Sequence, residues 1–547
     1  MPLISAVVCM AILSLSTHAL NDGDGSRAAD LSPPAVLLQK HLDEANALYR
    51  SNRKDEAEKA YRSIVSLLEG VDESNGEIKD ASALAELRVS VLCNMGSLMV
   101  DKGDLDEARR LFEAAVAFQP DHADALFNLG TVLHDTHHYW EAIDRYEQAI
   151  AAEAAMSEMP SLSWTSVASA ANMGSAYETL ESLPEAVETY QIAMEILDGL
   201  MGDLTDQTEI DARSARRGDG AAFLTNEEIS QMHTRLAEGL LRIQAGTYTY
   251  WEEAGKEGTR KYKYECSPGS CVELAAEHFR RALRFDKSNS IADYSLRSMQ
   301  KDSTLTEASP DYVKSLFDHY ADTFDKSLQK LHYQAPLMIR MAVDRLQESL
   351  LVAYPLRNVL DVGCGTGLSG QVFRNVTTFL YGFDLSPEMI RLAEEKGVYN
   401  ATHVGDLQSG FGALAGHGLH GKVDLITAAD VLVYVGDLRE FFQRSSEVIR
   451  KDGRGFLAFS VEELTSELTS DEEDKGYQVQ TTGRFAHTRE YVVREGGRWG
   501  FSAMYGERIY PRFEYGEPVK GLLFVLRYDG QGDSGFRKKD MRSRDEL

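Results

Sequence analysis

A spaced pattern that repeats along the first half constrains this chain more than any other feature. Gly96, Ala108, Phe112 and Ala115 are separated by 12, 4 and 3 residues. The same steps recur at Gly130, Ala142, Tyr146 and Ala149, and again at Gly174, Ala186, Tyr190 and Ala193. A looser copy lies at Ala45, Ala57, Tyr61 and Ile64. Gly96 and Gly130 are 34 residues apart, and ten extra residues near Met159-Pro160 lengthen the step from Gly130 to Gly174. A fixed period of this length marks a stack of small units, none of which can bury its apolar face alone. The glycine or alanine lets one helix approach the next closely, and the aromatic fills the space between neighbours. A fifth, interrupted unit runs from about Asn226 to Ser298, with Ala237 and Leu240 on its first helix and Ala275, Phe279 and Ala282 on its second. Polar insertions fall at about Gly199–Asp219 and Gly246–Ser270. Beside the second, Cys266 and Cys271 flank a Pro-Gly turn that brings them within disulfide range.

Composition separates this array from the rest of the chain. The chain has 547 residues, 43% hydrophobic and 26% charged, which is globular material for more than one unit. Its net charge of −29 disfavours nucleic acid and anionic membranes, whose phosphates it repels. Residues 1–300 carry 27 Lys and Arg against 49 Asp and Glu, and the remainder carry 30 against 37. The array therefore suits a neutral or basic partner. Cys93 and Cys364 sit in apolar or glycine-rich surroundings and read as buried thiols; no Cys/His spacing suggests a metal. At the start, an apolar run from Leu3 to about Leu15 before Thr17-His18-Ala19 reads as a signal peptide, 1–19, too short to span a bilayer. Its removal leaves no expected membrane span. The last residues, Arg544-Asp545-Glu546-Leu547, match an endoplasmic-reticulum retrieval tail. Together these predict a lumenal protein, the alternative being a cytoplasmic one. Asn375-Val376-Thr377 and Asn400-Ala401-Thr402 are glycosylation triplets that fit the lumen.

In the second half, strand and helix signals alternate. Strands are expected at Asn358–Val362, Phe379–Phe383, Ala401–Val404, Val423–Ala428, Gly455–Phe459 and Leu522–Leu526. Such alternation predicts a parallel sheet covered by helices on both faces. The first strand runs into Gly363-Cys364-Gly365-Thr366-Gly367, preceded by Asp361; Asp384 ends the next strand, 17 residues after the last glycine. The third and fourth strands lead into Asp406 and Asp430. The glycine spacing departs from the dinucleotide fingerprint Gly-x-Gly-x-x-Gly. Glu462, Glu463, Glu467 and the run Asp471–Asp474 read as a solvated acidic loop.

The 34-residue units resemble tetratricopeptide repeats. The Asp361–Gly367 loop with Asp384, Asp406 and Ala428-Ala429-Asp430 resembles class I S-adenosylmethionine-dependent methyltransferases, over about Tyr312–Tyr528. Segments Phe317–Asp325, Leu331–Pro336, Ala429–Tyr434 and Gly483–His487 are similar to those of predicted methyltransferases that carry such repeats. The resemblance implies an α plus α/β chain. An N-terminal helical repeat solenoid (35–300) precedes a Rossmann-like, seven-stranded class I methyltransferase domain (305–530) and a tail, 531–547. It implies S-adenosylmethionine as cofactor and a protein or peptide partner on the concave face of the array. Asn94, Asn128 and Asn172, at one repeat position, would face that groove. Asp361 would face the cofactor's positive charge and Gly363, Gly365 and Gly367 its methionine end. Asp384 would bind the ribose with Leu385 beside the adenine. Asp406, Leu407 and Ala429 would border the adenine pocket, with Tyr320 on a helix closing over it. Methyl transfer needs chiefly orientation, plus a base for an O–H or N–H acceptor. His487 is the first choice of base, with Asp430 and Tyr434 as further catalytic candidates. Arg484 and Tyr491 would bind substrate. The alternative is an interaction scaffold whose methyltransferase-like domain is inactive or senses cofactor.

Overall fold

The computed structural model describes residues 33–69, 81–155, 163–180, 182–201, 224–244, 248–250, 260–262, 270–321, 324–349, 351–465, 475–514 and 517–530. The two chain ends, Cys266, Glu467 and Asp471–Asp474 lie outside them. The chain divides into two compact units, Met1–Asn289 and Ser290–Leu547. The helix Ser290–Met299, read from the sequence as the end of the array, thus belongs to the second unit.

The first unit is a series of helix pairs: α1 (Pro33–Arg50) with α2 (Lys54–Glu69), α3 (Ala81–Lys102) with α4 (Leu105–Phe118), and α5 (Ala123–Asp135) with α6 (Tyr139–Ala155). Next come α7 (Trp164–Thr179) with α8 (Leu183–Met201), and α9 (Asn226–Gln244) with α10 (Cys271–Phe285). The repeated spacing has a direct physical cause. A Cβ on Gly96 would lie 2.6 Å from the Phe112 ring; on Gly130, 2.7 Å from Tyr146; on Gly174, 2.7 Å from Tyr190. Each aromatic presses on bare backbone sixteen residues earlier, and all three rings are buried. Within α3, Ala83–Lys102 is long and apolar enough to cross a membrane, yet 67% of its most apolar window is buried among the other helices, as a core helix is. Cys271 is disulfide-bonded.

The asparagines correct the sequence reading. Asn94, Asn128 and Asn172 are 1%, 5% and 7% exposed, so they do not line an open groove. Asn94 donates to Asn46 at 2.9 Å, which also accepts from the Tyr61 hydroxyl at 2.6 Å. Asn172 donates to the Tyr146 hydroxyl at 3.3 Å. Asn94 and Asn172 thus tie one unit to its neighbour.

The second unit is built on one sheet: β1 (Leu356–Val362), β2 (Thr377–Asp384), β3 (Ala401–Val404), β4 (Leu425–Ala428), β5 (Phe456–Glu463), β6 (Tyr477–Val479), β7 (Phe485–His487), β8 (Phe501–Ile509) and β9 (Gly521–Tyr528). Seven strands form the order β8-β9-β5-β4-β1-β2-β3, parallel from β5 to β3 with β9 antiparallel to both its neighbours. The short β6 and β7 extend from the end of β5 through Glu462↔Ala486 and Glu463↔His487. Alternate residues feed two cores. Leu360, Tyr381, Ile426 and Leu457 pack on one face, and Val359, Leu380, Leu425 and Phe456 on the other. A strand buried on both faces reads as a continuous apolar run, which is why the sequence shows it. Strand order reverses between β1 and β4, and ligands of such sheets bind beyond the carboxyl ends at that point.

Candidate functional site

The carboxyl end of β1 runs into the glycine loop, whose backbone demands glycine. Gly363, Gly365 and Gly367 have φ of +60°, +53° and +94°. A Cβ on Gly363 would fall 2.3 Å from Val431, whereas the nearest atom to one on Gly365 is the Phe324 ring at 3.8 Å. The middle of the loop is therefore bare backbone with room beside it. Asp384, at the end of β2, accepts the N–H groups of Gly365 and Ser386, each at 2.9 Å. Burial raises its pKa, and these bonds oppose the rise.

Asp361 lies beneath, 1% exposed, accepting the Tyr399 hydroxyl at 2.6 Å and the Thr427 hydroxyl at 3.0 Å. Burial pushes its pKa up to about 7, with the Asp384 charge adding to the rise. The Tyr399 ring fills the space that a Cβ would need on Gly370 (2.6 Å) and Gly382 (2.8 Å). Past β3, Asp406 caps α17 (Leu407–Ala413, preceded in unit two by α11 Ser290–Met299 through α16 Pro387–Glu395). It accepts the Ser409 N–H at 2.8 Å and hydroxyl at 2.7 Å, which hold its pKa down. Leu385, Leu407 and Ala429 are half-buried.

Two helices are pinned over the loop. Asp318 of α12 (Pro310–Tyr320) accepts from Ser386 at 2.5 Å. Asp325 of α13 (Phe324–Lys330) accepts from Thr366 at 2.5 Å and pairs with Lys396 at 2.5 Å. Between them Phe317 stands edge-on to Phe324 and Tyr434, with centroids 5.9 and 5.5 Å apart. Tyr320 ends α12, and its side chain lies outside the described residues.

A different chemistry occupies the ends of β4 and β5. Asp430 has φ +60°, donates its N–H to Ser460 at 3.0 Å, and pairs its carboxylate with Arg512. Arg512, 5% exposed, also pairs with Glu462 and, at 2.7 Å, Glu514. Arg484 reaches Glu462 at 2.7 Å and Glu514 at 2.5 Å. Burial works against Arg484's charge, but the surrounding carboxylates raise its pKa further still. The Tyr333 hydroxyl donates to the Ala429 carbonyl at 3.4 Å, and burial, with Asp430 close by, pushes its pKa upward. Tyr434 is pushed up to about 12, chiefly by burial.

Three sequence expectations change here. His487 is fully buried: Nε2 donates to the Gly436 carbonyl at 3.0 Å, and its ring stacks on Tyr491. Burial lowers its pKa to about 4, so it is a core residue rather than a base facing substrate. Tyr491 is 3% exposed and accepts the Leu438 N–H at 2.8 Å, which gives it a structural task. Glu462 is buried in the ion network, and Glu463 forms a two-bond pair with Arg508 at the end of β5, so neither belongs to a solvated loop. Arg484, expected at the substrate, faces two carboxylates of the chain itself. Conversely, Tyr399, Thr427, Arg512 and Glu514 join the site without any signal of their own in the motifs. Tyr333 and the pinning acids Asp318 and Asp325 did lie in the Leu331–Pro336 and Phe317–Asp325 segments, so part of that signal was present.

Residues 360–454 match the family model of a methyltransferase domain, and residues 87–152 that of a tetratricopeptide repeat. The chain thus carries a methyltransferase domain behind a tetratricopeptide array. It is 37% identical over 93 residues to human methyltransferase-like protein 27, covering 16% of this chain and 37% of that one. It is 26% identical over 102 residues to the mitochondrial ubiquinone biosynthesis O-methyltransferase of Schizosaccharomyces pombe, covering 19% and 37%. The chain therefore spans little more than a third of each of these relatives. Among solved structures, magnesium protoporphyrin IX methyltransferase from Synechocystis, with bound SAH, aligns with a TM-score of 0.29 at 18% identity, over 40% of this chain and 99% of that one.

Proposed function

We propose that the Ser290–Leu547 unit is a methyltransferase using S-adenosylmethionine, and that the helical array docks a partner or substrate protein. The observation that carries the reading is the joint geometry of the glycine loop and Asp384 at the strand reversal. The residues fit the group. Asp361 is a buried acid and Asp384 a half-buried one, both with raised pKa values, while Asp318 and Asp325 on the helices above are paired with Lys314 and Lys396. An acidic, bare-backbone cradle favours a cation and repels a pyrophosphate. Asp384 would take the ribose hydroxyls on the lone pairs left by its backbone donors, Gly363–Gly367 the amino-acid end, and Asp406 with Leu385 and Leu407 the adenine. When bound, the cofactor supplies an activated methyl group. The chain's part is to hold the donor and acceptor in line, with α12 and α13 shielding the loop from water.

The test is calorimetric titration of the full chain with S-adenosylmethionine. Asp384→Ala removes charge-assisted bonds worth about 1.5–3 kcal/mol each, so affinity falls at least about tenfold. Absence of binding by the intact chain sinks the enzyme reading and favours the scaffold. For the array, the acidity of residues 1–300 supports a neutral or basic partner, captured by the full chain at low salt and released at about 0.5 M salt. Resting on the terminal motifs alone, we place the protein in the endoplasmic-reticulum lumen; retention that survives deletion of Arg544–Leu547 refutes that placement.

A further inference from the structure

The ends of β4 and β5 hold two guanidinium groups and three carboxylates in one connected network. The three acids are not equivalent. Glu462 is the penultimate residue of β5 and is 8% exposed, so the sheet fixes it. Asp430 is fixed by its left-handed backbone and by Ser460. Glu514 stands on a two-residue strand, Phe513–Glu514, with its side chain 21% exposed and the neighbouring Phe513 open to solvent. One Glu514 oxygen meets Arg512 at 2.7 Å and the other meets Arg484 at 2.5 Å. That carboxylate bridges two arginines, and of the three it is the most exposed.

We propose that Arg484 and Arg512 form a carboxylate clamp, that Glu514 is its resident occupant, and that the methyl acceptor is a monocarboxylate which displaces Glu514 and is methylated on a carboxyl oxygen. This rests on the methyl-transfer reading above. Charge supports the choice: exchanging one carboxylate for another leaves the network unchanged, whereas a phosphate or dicarboxylate adds negative charge to a set already in excess. A neutral acceptor in Glu514's place leaves a buried and a half-buried guanidinium group each short of one carboxylate. The state of the candidate bases named from the sequence points the same way. His487 is sealed in the core, Asp430 is held by Arg512, and Tyr333 and Tyr434 keep their protons, which leaves the exposed His332, edge-on to Phe513, as the nearest open imidazole. A phenol, alcohol or amine acceptor must lose a proton; a carboxylate has none to lose.

The step balances without one. A lone pair of the carboxylate oxygen forms the O–CH₃ bond, the S–CH₃ bond breaks, and its electron pair stays on sulfur, turning the sulfonium into a neutral thioether. The product is a neutral ester with little hold on two guanidinium groups, and Glu514 returns. Burial would raise Glu514's pKa, but the two arginines outweigh it and hold it below the usual carboxylate range, so it competes as an anion.

The experiment uses benzoate as probe, because Tyr333 and Tyr434 flank the network, with benzamide as its neutral counterpart and ligand-observed NMR on the full chain as readout. Glu514→Gln removes the resident's charge and weakens its hold on both arginines, so benzoate binds at least about tenfold tighter than to the unaltered chain, while benzamide does not change. Adding Arg484→Gln to that variant abolishes the gain. Benzoate affinity untouched by Glu514→Gln, or matched by benzamide, overturns the clamp. In parallel, methyl label transferred from S-adenosylmethionine into a cell extract is expected to be released by mild alkali as volatile methanol, the mark of an ester. Label that resists alkali overturns the carboxylate acceptor but leaves the methyltransferase standing. Failure to bind S-adenosylmethionine removes the methyltransferase, and the benzoate result still judges the clamp.

Discussion

Asp361→Asn isolates the charge that the fold keeps under the glycine loop. The folded carboxyl titrates at about 7, against 3.8 for the ordinary group, because it is buried. Between those values the folded chain binds more protons than the unfolded chain, so stability falls as pH rises through the window. At 1.36 kcal/mol per unit, the buried charge costs about 4 kcal/mol at pH 8 and about 1 kcal/mol at pH 4.5. The residue is almost fully buried, so solvent screening takes little off that figure. Asparagine keeps the shape and can still accept from Tyr399, at a loss of about 1 kcal/mol for the weaker bonding. The variant should therefore be more stable by about 3 kcal/mol at pH 8 and about equal at pH 4.5. Hydrogen exchange in peptides covering 356–362 and 377–384, compared at each pH with the unaltered chain, reads this as about 100-fold more protection at pH 8. The same variant should bind S-adenosylmethionine more weakly at pH 8, since it no longer faces the cation with a charge. A variant no more protected at pH 8, or equally more protected at both pH values, refutes the reasoning.

Two other perturbations address the array. Gly130→Ala sets a Cβ 2.7 Å from the Tyr146 ring and costs about 1–3 kcal/mol, seen as faster exchange across 123–155; Gly416→Ala, which meets nothing within 4 Å, is the neutral control. His233 and His278 meet at 3.0 Å between α9 and α10, and burial lowers both pKa values, that of His278 to about 4. The unfolded chain therefore binds more protons below about pH 6.5, and stability falls with pH. Exchange across 226–244 and 271–285 should report a loss of about 2 kcal/mol per histidine from pH 7 to 5, which His278→Gln roughly halves.

Legibility in the sequence followed whether a residue's partner lay at a fixed distance along the chain. Gly96 with Phe112, Gly130 with Tyr146 and Gly174 with Tyr190 show as spacing because one helical hairpin brings them together. Asp384 shows because one βα unit carries it from the glycine loop to the end of β2. Tyr399 has no such spacing, because its partners, Asp361 and Gly382, sit on strands it reaches only after the sheet forms. Glu462 looked like the start of an acidic loop, and only Arg484 and Arg512, far along the chain, make it a buried ion-pair partner. His487 looked reactive because a polar residue at a strand end is often open; the turn carrying Gly436 closes over it. The asparagines share one repeat position, but spacing alone says nothing of the groove, and the packing of neighbouring helices buries them.

The two ends of the sheet's binding edge are electrically opposite in design, and this bears on how a reaction could be ordered there. Over β1 and β2, the buried Asp361 and the half-buried Asp384 meet hydroxyls and N–H groups, so their charge is left for a ligand to balance. Over β4 and β5, each buried acid already meets an arginine, so charge there can be exchanged but hardly added. A cation entering the first pocket lowers the pKa of Asp361 and draws its proton away, so cofactor affinity should climb as pH rises through about 7. Acceptor exchange at the second pocket involves no such proton and should be flat over the same range. A pH-dependent affinity for donor combined with a pH-independent one for acceptor is the consequence of where the fold places its arginines.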